Sequence, residues 1–196
     1  MSLRTLSDHI SDIAQNCVTA GATRVTLSIH QDEDWFSFDL EDNGKGIPQE
    51  TLGKIFDPFY TTRDHKIRRV GLGLPFIKEA AHATGGKVEI QSEEGVGTRF
   101  HALFGISHID CQPLGDLAQT LFTLITSSDN VSWNIQRSFG PESYEIHTDQ
   151  LFSGIPASDA LSNPSFLHLL LESLRELESS LLEGGKDAGE KKGTTP

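Results

Sequence analysis

The 196-residue sequence predicts an α+β protein. Its main body reads as a two-layer sandwich, an antiparallel or mixed sheet with helices on one face, followed by a small C-terminal α-β-β-α appendage. Three observations carry this. Apolar alternation at a spacing of two recurs in short runs joined by turn residues, which is the mark of hairpin strands. Apolar residues at three- and four-residue spacing mark longer helices between those hairpins. Strands come in hairpins with helices between them, which predicts an antiparallel or mixed sheet with helices on one face.

Residues 3–20 read as the first helix. Leu6, Ile10, Ile13, Ala14, Cys17 and Val18 form one apolar stripe, and Gly21 terminates it. Asp12 and Asn16 stand four residues apart and project from one face. A polar pair at that spacing is usually a solvated face, yet Asn is a poor helix-interior residue and invites a functional reason. His9 reads as a helix-surface histidine and Cys17 as core.

Arg24–His30 alternates and forms a strand; Gln31–Asp34 is a polar turn; Trp35–Glu41 completes a hairpin. That second strand runs into Glu41-Asp42-Asn43-Gly44-Lys45-Gly46-Ile47. A carboxylate at a strand end accepts a hydrogen bond from the exocyclic amine of adenine, and glycines let the backbone approach a flat ring. Asp-Asn-Gly is equally an ordinary turn. Pro48 to Ile55 then makes a short helix. Ile55-Phe56-Asp57-Pro58-Phe59-Tyr60-Thr61-Thr62 carries aromatic anchors, and Asp64–Val70 is a polar, mostly basic stretch that reads as a charged loop or as a lid over an anionic ligand.

Gly71-Leu72-Gly73-Leu74-Pro75 opens a second long helix reaching about Thr84. Glycines before a helix expose backbone N–H groups to an anion such as phosphate. Neither a Walker motif nor a dinucleotide fingerprint is present. Lys87–Gln91 and Thr98–Phe104 are strands around a Glu93–Gly97 turn, with Thr98, Phe100, Ala102 and Phe104 on one face.

In the C-terminal part, His108, Asp110 and Cys111 are too local to complete a metal site and read as a connecting turn and helix cap. Leu117–Thr126 is a helix. Val131–Phe139 and Ser143–Leu151 form a hairpin around Gly140-Pro141-Glu142. Phe166–Leu182 is an amphipathic helix with Leu167, Leu170, Leu171, Leu174, Leu177 and Leu181 inside and Glu172, Arg175, Glu176 and Glu178 outside. Residues 184–196 are rich in Gly, Lys and Glu and read as a disordered tail. The domain division that follows is 1–106, 107–183 and 184–196.

A net charge of −12 argues against nucleic acid or an anionic membrane as a non-specific partner. Two distant cysteines without metal spacing, no leader and no apolar run long enough for a bilayer point to a cytoplasmic protein with reduced thiols.

These blocks, in this order, resemble the GHKL nucleotide-binding family of gyrase B subunits, ninety-kilodalton heat-shock chaperones, histidine kinases and MutL proteins. Asp12–Ala22 resembles the N-box, Asp42–Ile47 the first glycine box, Ile55–Thr62 the F-box of histidine kinases, and Gly71–Leu74 with Gly95–Thr98 the later glycine boxes. The resemblance covers residues 1 to about 105 and implies a Bergerat-type fold binding ATP and Mg2+. By that resemblance, Asn16 coordinates the magnesium. Asp42 reads the adenine amine with Thr98 supporting it through a water. Gly44, Gly46 and Ile47 belong to the base pocket. Gly71, Leu72 and Gly73 wrap the phosphates beneath a lid that begins at Phe56. Asp12 falls where ATPase members carry a water-activating glutamate, one methylene longer. The chain opens almost on the N-box helix and lacks the helical hairpin on which histidine kinases autophosphorylate, so autophosphorylation is not expected.

Ser107–Leu117 (Ser-His-Ile-Asp-x-x-Pro-Leu-Gly-Asp-Leu) further resembles a subgroup of stand-alone GHKL proteins encoded beside iron-only hydrogenases. That further resemblance suggests a redox or hydrogenase setting without a reaction; the wider family resemblance implies slow ATP hydrolysis or phosphoryl transfer to a separate protein partner. Two alternatives stand beside them: a non-catalytic ATP sensor regulating a redox or hydrogenase complex, and a serine/threonine kinase like the anti-sigma factors.

Overall fold

A computed structural model describes residues 5–57 and 73–192. Helix α1 is Leu6–Thr19, followed by strands β1 (Arg24–Gln31) and β2 (Trp35–Asp42) and the single-turn helix α2 (Gln49–Leu52). Helix α3 is Gly73–Ala83, then come β3 (Lys87–Glu93), β4 (Gly97–Gly105) and α4 (Leu117–Thr126). The C-terminal part holds β5 (Ser132–Phe139), β6 (Glu142–His147), short helices α5 (Thr148–Leu151) and α6 (Ala157–Leu161), and α7 (Pro164–Lys192).

Among the described residues the strands form one mixed sheet in the order β3-β4-β2-β1-β5-β6. Neighbours are antiparallel except β1 and β5, which run parallel with Val25 opposite Trp133. The alternation read from the sequence decides the two faces. Val25, Leu27 and Ile29 of β1, Phe36, Phe38 and Leu40 of β2, and Phe100, Ala102 and Phe104 of β4 are buried beneath the helices. Their neighbours on the other face (Thr26, Ser28, Asp39, Glu41, Arg99) are polar and at least partly exposed. The predicted α+β class and helices-on-one-face arrangement are therefore present. Phe38 packs on Phe100 and Phe104 with ring centres 5.8 and 6.4 Å apart, contacts that add about 0.5–1.5 kcal/mol each beyond burial.

The appendage is fused to this framework. Strands β5 and β6 extend the sheet past β1, and Leu121, Trp133, Ile135, Leu170 and Leu174 share one core cluster with Leu6, Ile10 and Leu27. Helix α1 lies between α3 and α4, and α4 lies beside α7. The junction also starts α1: Leu6 N donates to Pro113 O at 3.0 Å and Ser7 N to Leu114 O at 2.9 Å. Thr5 closes a capping box with Asp8. Asp116, at the far end of the junction, caps α4 through Gln119 N at 2.8 Å. His108, Asp110 and Cys111 sit in the intervening turn. Among the described residues no group of three His, Cys, Asp or Glu is placed to hold a metal, and no helix is long and apolar enough to cross a membrane.

Five expectations need correction, the first being Leu177, which the apolar stripe puts inside α7 and which is 37% exposed. His9 is not on a helix surface: it is 1% exposed, its Nε2 lies 2.8 Å from Gln112 Oε1, and its ring stacks on Phe104. The junction segment covers what would otherwise be an open helix face. Strand β6 stops at His147, because Thr148 turns inward and its Oγ1 accepts from Trp133 N at 2.8 Å, starting α5. Glu178 is not outside: it is 8% exposed, accepting from Tyr144 Oη at 2.5 Å and facing Arg137 Nε at 3.4 Å. Finally, α7 continues to Lys192 through residues whose composition reads as tail. Gly185 is buried in that helix, where a side chain would overlap the Phe139 ring; it marks a close helix–strand approach rather than an end.

Candidate functional site

Asp42, Gly44, Gly46, Ile47 and Thr98 lie at the sheet end where β2 finishes. Asp42 is the last residue of β2, faces the helix layer and is 8% exposed. Its Oδ1 accepts from Gly44 N at 2.7 Å. Cys17 of α1 approaches the same carboxylate. Burial first, and the Asp42 charge second, push the Cys17 thiol well above its ordinary range, so it stays protonated. Thr98 stands directly opposite Asp42 across the β2–β4 register.

The loop after Asp42 is tied on both sides. Asn43 Oδ1 accepts from Thr23 N and Arg24 N, each at 2.9 Å, while its Nδ2 donates to Thr23 Oγ1 at 3.0 Å. Lys45 N donates to Ala20 O at 3.0 Å, and Lys45 O accepts from Gly95 N at 2.8 Å. Ile47 N donates to Ser92 Oγ at 2.8 Å. Gly46 has φ +66°, and a side chain there would overlap the Glu93 carbonyl. A side chain on Gly97 would overlap the carbonyl of Asp42, and one on Gly44 would press on Asp42 Oδ1 and Ala20. These glycines are thus required by the mutual approach of two loops. In the direction a Cβ would take, the space at these glycines is filled by protein.

Asp12 and Asn16 lie on α1, both partly exposed. The Asp12 carboxylate packs against Gly73, the first residue of α3, where a side chain would overlap its Oδ2. A carboxylate at that helix start suits the dipole. Phe56 is half-buried, with Lys78 Nζ of α3 4.9 Å from its ring centre, a cation–π contact joining the F-box region to the glycine-opened helix. Gly71, Leu72 and most of the proposed lid lie outside the described residues.

The structure therefore groups Asp42, Gly44, Cys17 and Thr98 at one end of the sheet, Asp12 with Gly73 beside them, and Gly46 and Ile47 against the β3–β4 turn. Asn16 shares α1 with Asp12 and Cys17. Two residues that organise this end were not singled out from sequence, Asn43 and Ser92. Ser92 continues the inward series Val88, Ile90 along β3. A hydroxyl at an inward position is the available signal, and it is hidden because the alternation alone ends the strand at Gln91.

As a donor set, the Asn16 amide oxygen and the Asp12 carboxylate are hard oxygen ligands on one helix face, the chemistry a magnesium ion takes when phosphates and water complete its shell.

The chain is similar to known proteins over its N-terminal part. The family described as histidine kinase-, DNA gyrase B-, and HSP90-like ATPase matches residues 2–107. Sensor kinase CckA of Brucella abortus is 37% identical over 86 residues, covering 44% of this chain and 9% of the kinase. Sensor histidine kinase WalK of Bacillus subtilis is 32% identical over 98 residues, 48% of this chain and 16% of the kinase. Aerobic respiration control sensor protein ArcB of Escherichia coli is 37% identical over 82 residues, 39% of this chain and 10% of the kinase. The chain thus spans less than a fifth of the length of each of these relatives.

Proposed function

The chain belongs to the histidine kinase-, DNA gyrase B-, and HSP90-like ATPase family, and from that membership we propose that it binds Mg-ATP at the Asp42 end of the sheet and hydrolyses it slowly or passes the γ-phosphate to a separate protein. ATP binding follows from the family; the residue roles are our reading. The observation that carries them is the convergence of a buried carboxylate (Asp42), a hydroxyl opposite it (Thr98) and a second carboxylate at a glycine-opened helix (Asp12 at Gly73).

In this reading Asp42 accepts from the exocyclic amine of adenine, with Thr98 supporting it through a bridging water. The N-terminus of α3 faces the phosphates, and its dipole offsets their charge. Asn16 holds the magnesium ion, which supplies charge neutralisation at the phosphates when bound. Asp12 takes the proton of an attacking water or partner hydroxyl, or orients a partner imidazole. Aspartate is shorter than the glutamate used by ATPase relatives, and this accounts for a slow rate. The phosphoacceptor is a separate protein, and the Ser107–Leu117 junction suggests a redox or hydrogenase-related one.

A second reading is favoured by one specific observation. The first two N–H groups of α1 are bonded to Pro113 and Leu114 of the junction, so the helix bearing Asp12 and Asn16 is fastened to the appendage. A non-catalytic sensor, in which ATP changes how the appendage engages a partner, uses that connection directly.

ADP formation from Mg-ATP, measured beside binding, separates these readings. The catalytic one expects turnover that is lost in Asp12→Asn with ATP still bound, and weakened magnesium-dependent binding in Asn16→Ala. Binding without turnover, with or without partner proteins, leaves the sensor. Failure to bind ATP at all overturns both.

A further inference from the structure

We propose that Ser92 sets the direction of the Thr98 hydroxyl and thereby the base preference of the site, an inference that rests on the reading of Asp42 and Thr98 as the base-facing pair. Ser92, Thr98 and Asp42 stand in one row across three strands. Ser92 is the register partner of Thr98 across β3–β4, and Thr98 of Asp42 across β4–β2. All three face the helix layer.

Among the described residues the Ser92 hydroxyl has three hydrogen-bonding neighbours, and one arrangement satisfies all three. Ile47 N reaches Ser92 Oγ at 2.8 Å and can only donate. The Gly97 carbonyl lies at 2.9 Å and can only accept. A serine hydroxyl has one proton and two lone pairs. Its proton goes to Gly97 and one lone pair to Ile47. The second lone pair is left for Thr98 Oγ1, 2.8 Å away. Thr98 must therefore give its own proton to Ser92 and turn only lone pairs toward Asp42.

The consequence is a recognition edge without a donor. The Asp42 carboxylate and the Thr98 oxygen both accept, so the ligand edge or bridging water placed between them has to supply N–H or O–H groups. Adenine presents an exocyclic amine there. Hypoxanthine and guanine present an oxygen, which meets two acceptors. Without the Ser92 acceptor, Thr98 is free to swing its proton outward. It then competes for Asp42 or donates to a carbonyl, and discrimination relaxes. Ser92 is a positioning residue in this account, acting through Thr98 and touching no ligand.

The test is calorimetric titration of Mg-ATP and of Mg-inosine triphosphate, which carries an oxygen in place of the adenine amine. The proteins are the full chain and its Ser92→Ala, Ser92→Thr and Asp42→Asn variants. The ATP preference is expected to fall by about fivefold in Ser92→Ala, the factor carried by one neutral hydrogen bond, and to be kept in Ser92→Thr. Asp42→Asn is expected to lose it. Should the alanine variant fail to fold, Ser92→Cys keeps the volume with a poor acceptor and is expected to lose the same preference.

An equal loss of affinity for both nucleotides in Ser92→Ala reduces Ser92 to a staple for Ile47 and overturns the proposal. An unchanged preference in Ser92→Ala, with a lost one in Asp42→Asn, overturns it while sparing the Asp42 reading. An unchanged preference in Asp42→Asn overturns that reading, and this proposal with it.

Discussion

The Asp12 carboxylate lies against Gly73, in the volume that a side chain on that glycine would fill. One residue belongs to α1 and the other begins α3, 61 positions away in sequence by their numbers. The contact brings the N-box and a later glycine box together, and both residues are sensitive to the size of the other.

Gly73→Ala is therefore expected to turn the partly exposed Asp12 carboxylate aside, at a net cost of no more than about 1 kcal/mol, since alanine is also the better helix former. Asp12→Ala is expected to relieve most of that cost. Urea unfolding of the two single variants and the double one checks this, as a coupling energy above about 0.5 kcal/mol. Additive losses count against the contact.

The Arg137–Glu178–Tyr144 group should behave as a buried ion pair. Burial lowers the Arg137 pKa and raises that of Tyr144, and the Glu178 charge acts upward on both. Arg137 also donates to Gln31 Oε1 at 2.5 Å and Ser138 O at 2.7 Å, so it cannot withdraw alone. Glu178→Ala is expected to cost about 3–5 kcal/mol, and Arg137→Met with Glu178→Leu to recover much of it. Equilibrium denaturation measures both; a loss under about 1 kcal/mol for Glu178→Ala would mean the guanidinium finds water.

His9 confers a pH dependence. Burial holds its folded-state pKa below the ordinary 6.5, opposed by its bond to Gln112 and the charges of Asp12 and Asp8. The unfolded chain thus takes up a proton before the folded one. Stability is unaffected above 6.5, is lost as pH falls through 6.5 toward the lower folded value, and levels off below it. Thermal unfolding between pH 8 and 5 should show this loss, and His9→Gln, which keeps a partner for Gln112, should flatten it. A wild-type melting temperature that does not fall over this window refutes the assignment.

Two adjacent glycines in α7 should respond with opposite signs. Alanine at either gains up to about 1 kcal/mol of helix propensity. At Gly184 the new methyl meets the side chain of exposed Glu142, which can move aside; at Gly185 it overlaps the ring of buried Phe139. Gly184→Ala is expected to raise the melting temperature and Gly185→Ala to lower it. The same sign in both variants would show that α7 is not seated against β5 at this point.

Local pattern settled the main elements from sequence alone. Alternation in Val25–Ile29, Phe36–Leu40 and Phe100–Phe104 specifies strands and their buried face, because side-chain direction in a strand has period two. The stripe Leu6–Cys17 specifies α1 in the same way. Asp42 and the glycines after it stand out locally, because a carboxylate at a strand end followed by glycines is a local chemical statement, whereas Thr98 enters only through the family resemblance.

Tertiary structure decided what depends on partners remote in sequence. The parallel pairing of β1 with β5 joins residues more than a hundred positions apart, and no local signal reports it. His9 looks like a surface residue until Gln112 covers it. Glu178 looks solvent-facing until Arg137 and Tyr144 meet it, and Gly185 looks like a helix end until Phe139 takes its space. Ser92 is one more polar residue near a turn until Ile47, Gly97 and Thr98 converge on its hydroxyl. In each case a polar or small residue is placed by a partner that satisfies its hydrogen bonds or fills its missing volume. Such pairings exist only once the chain is folded.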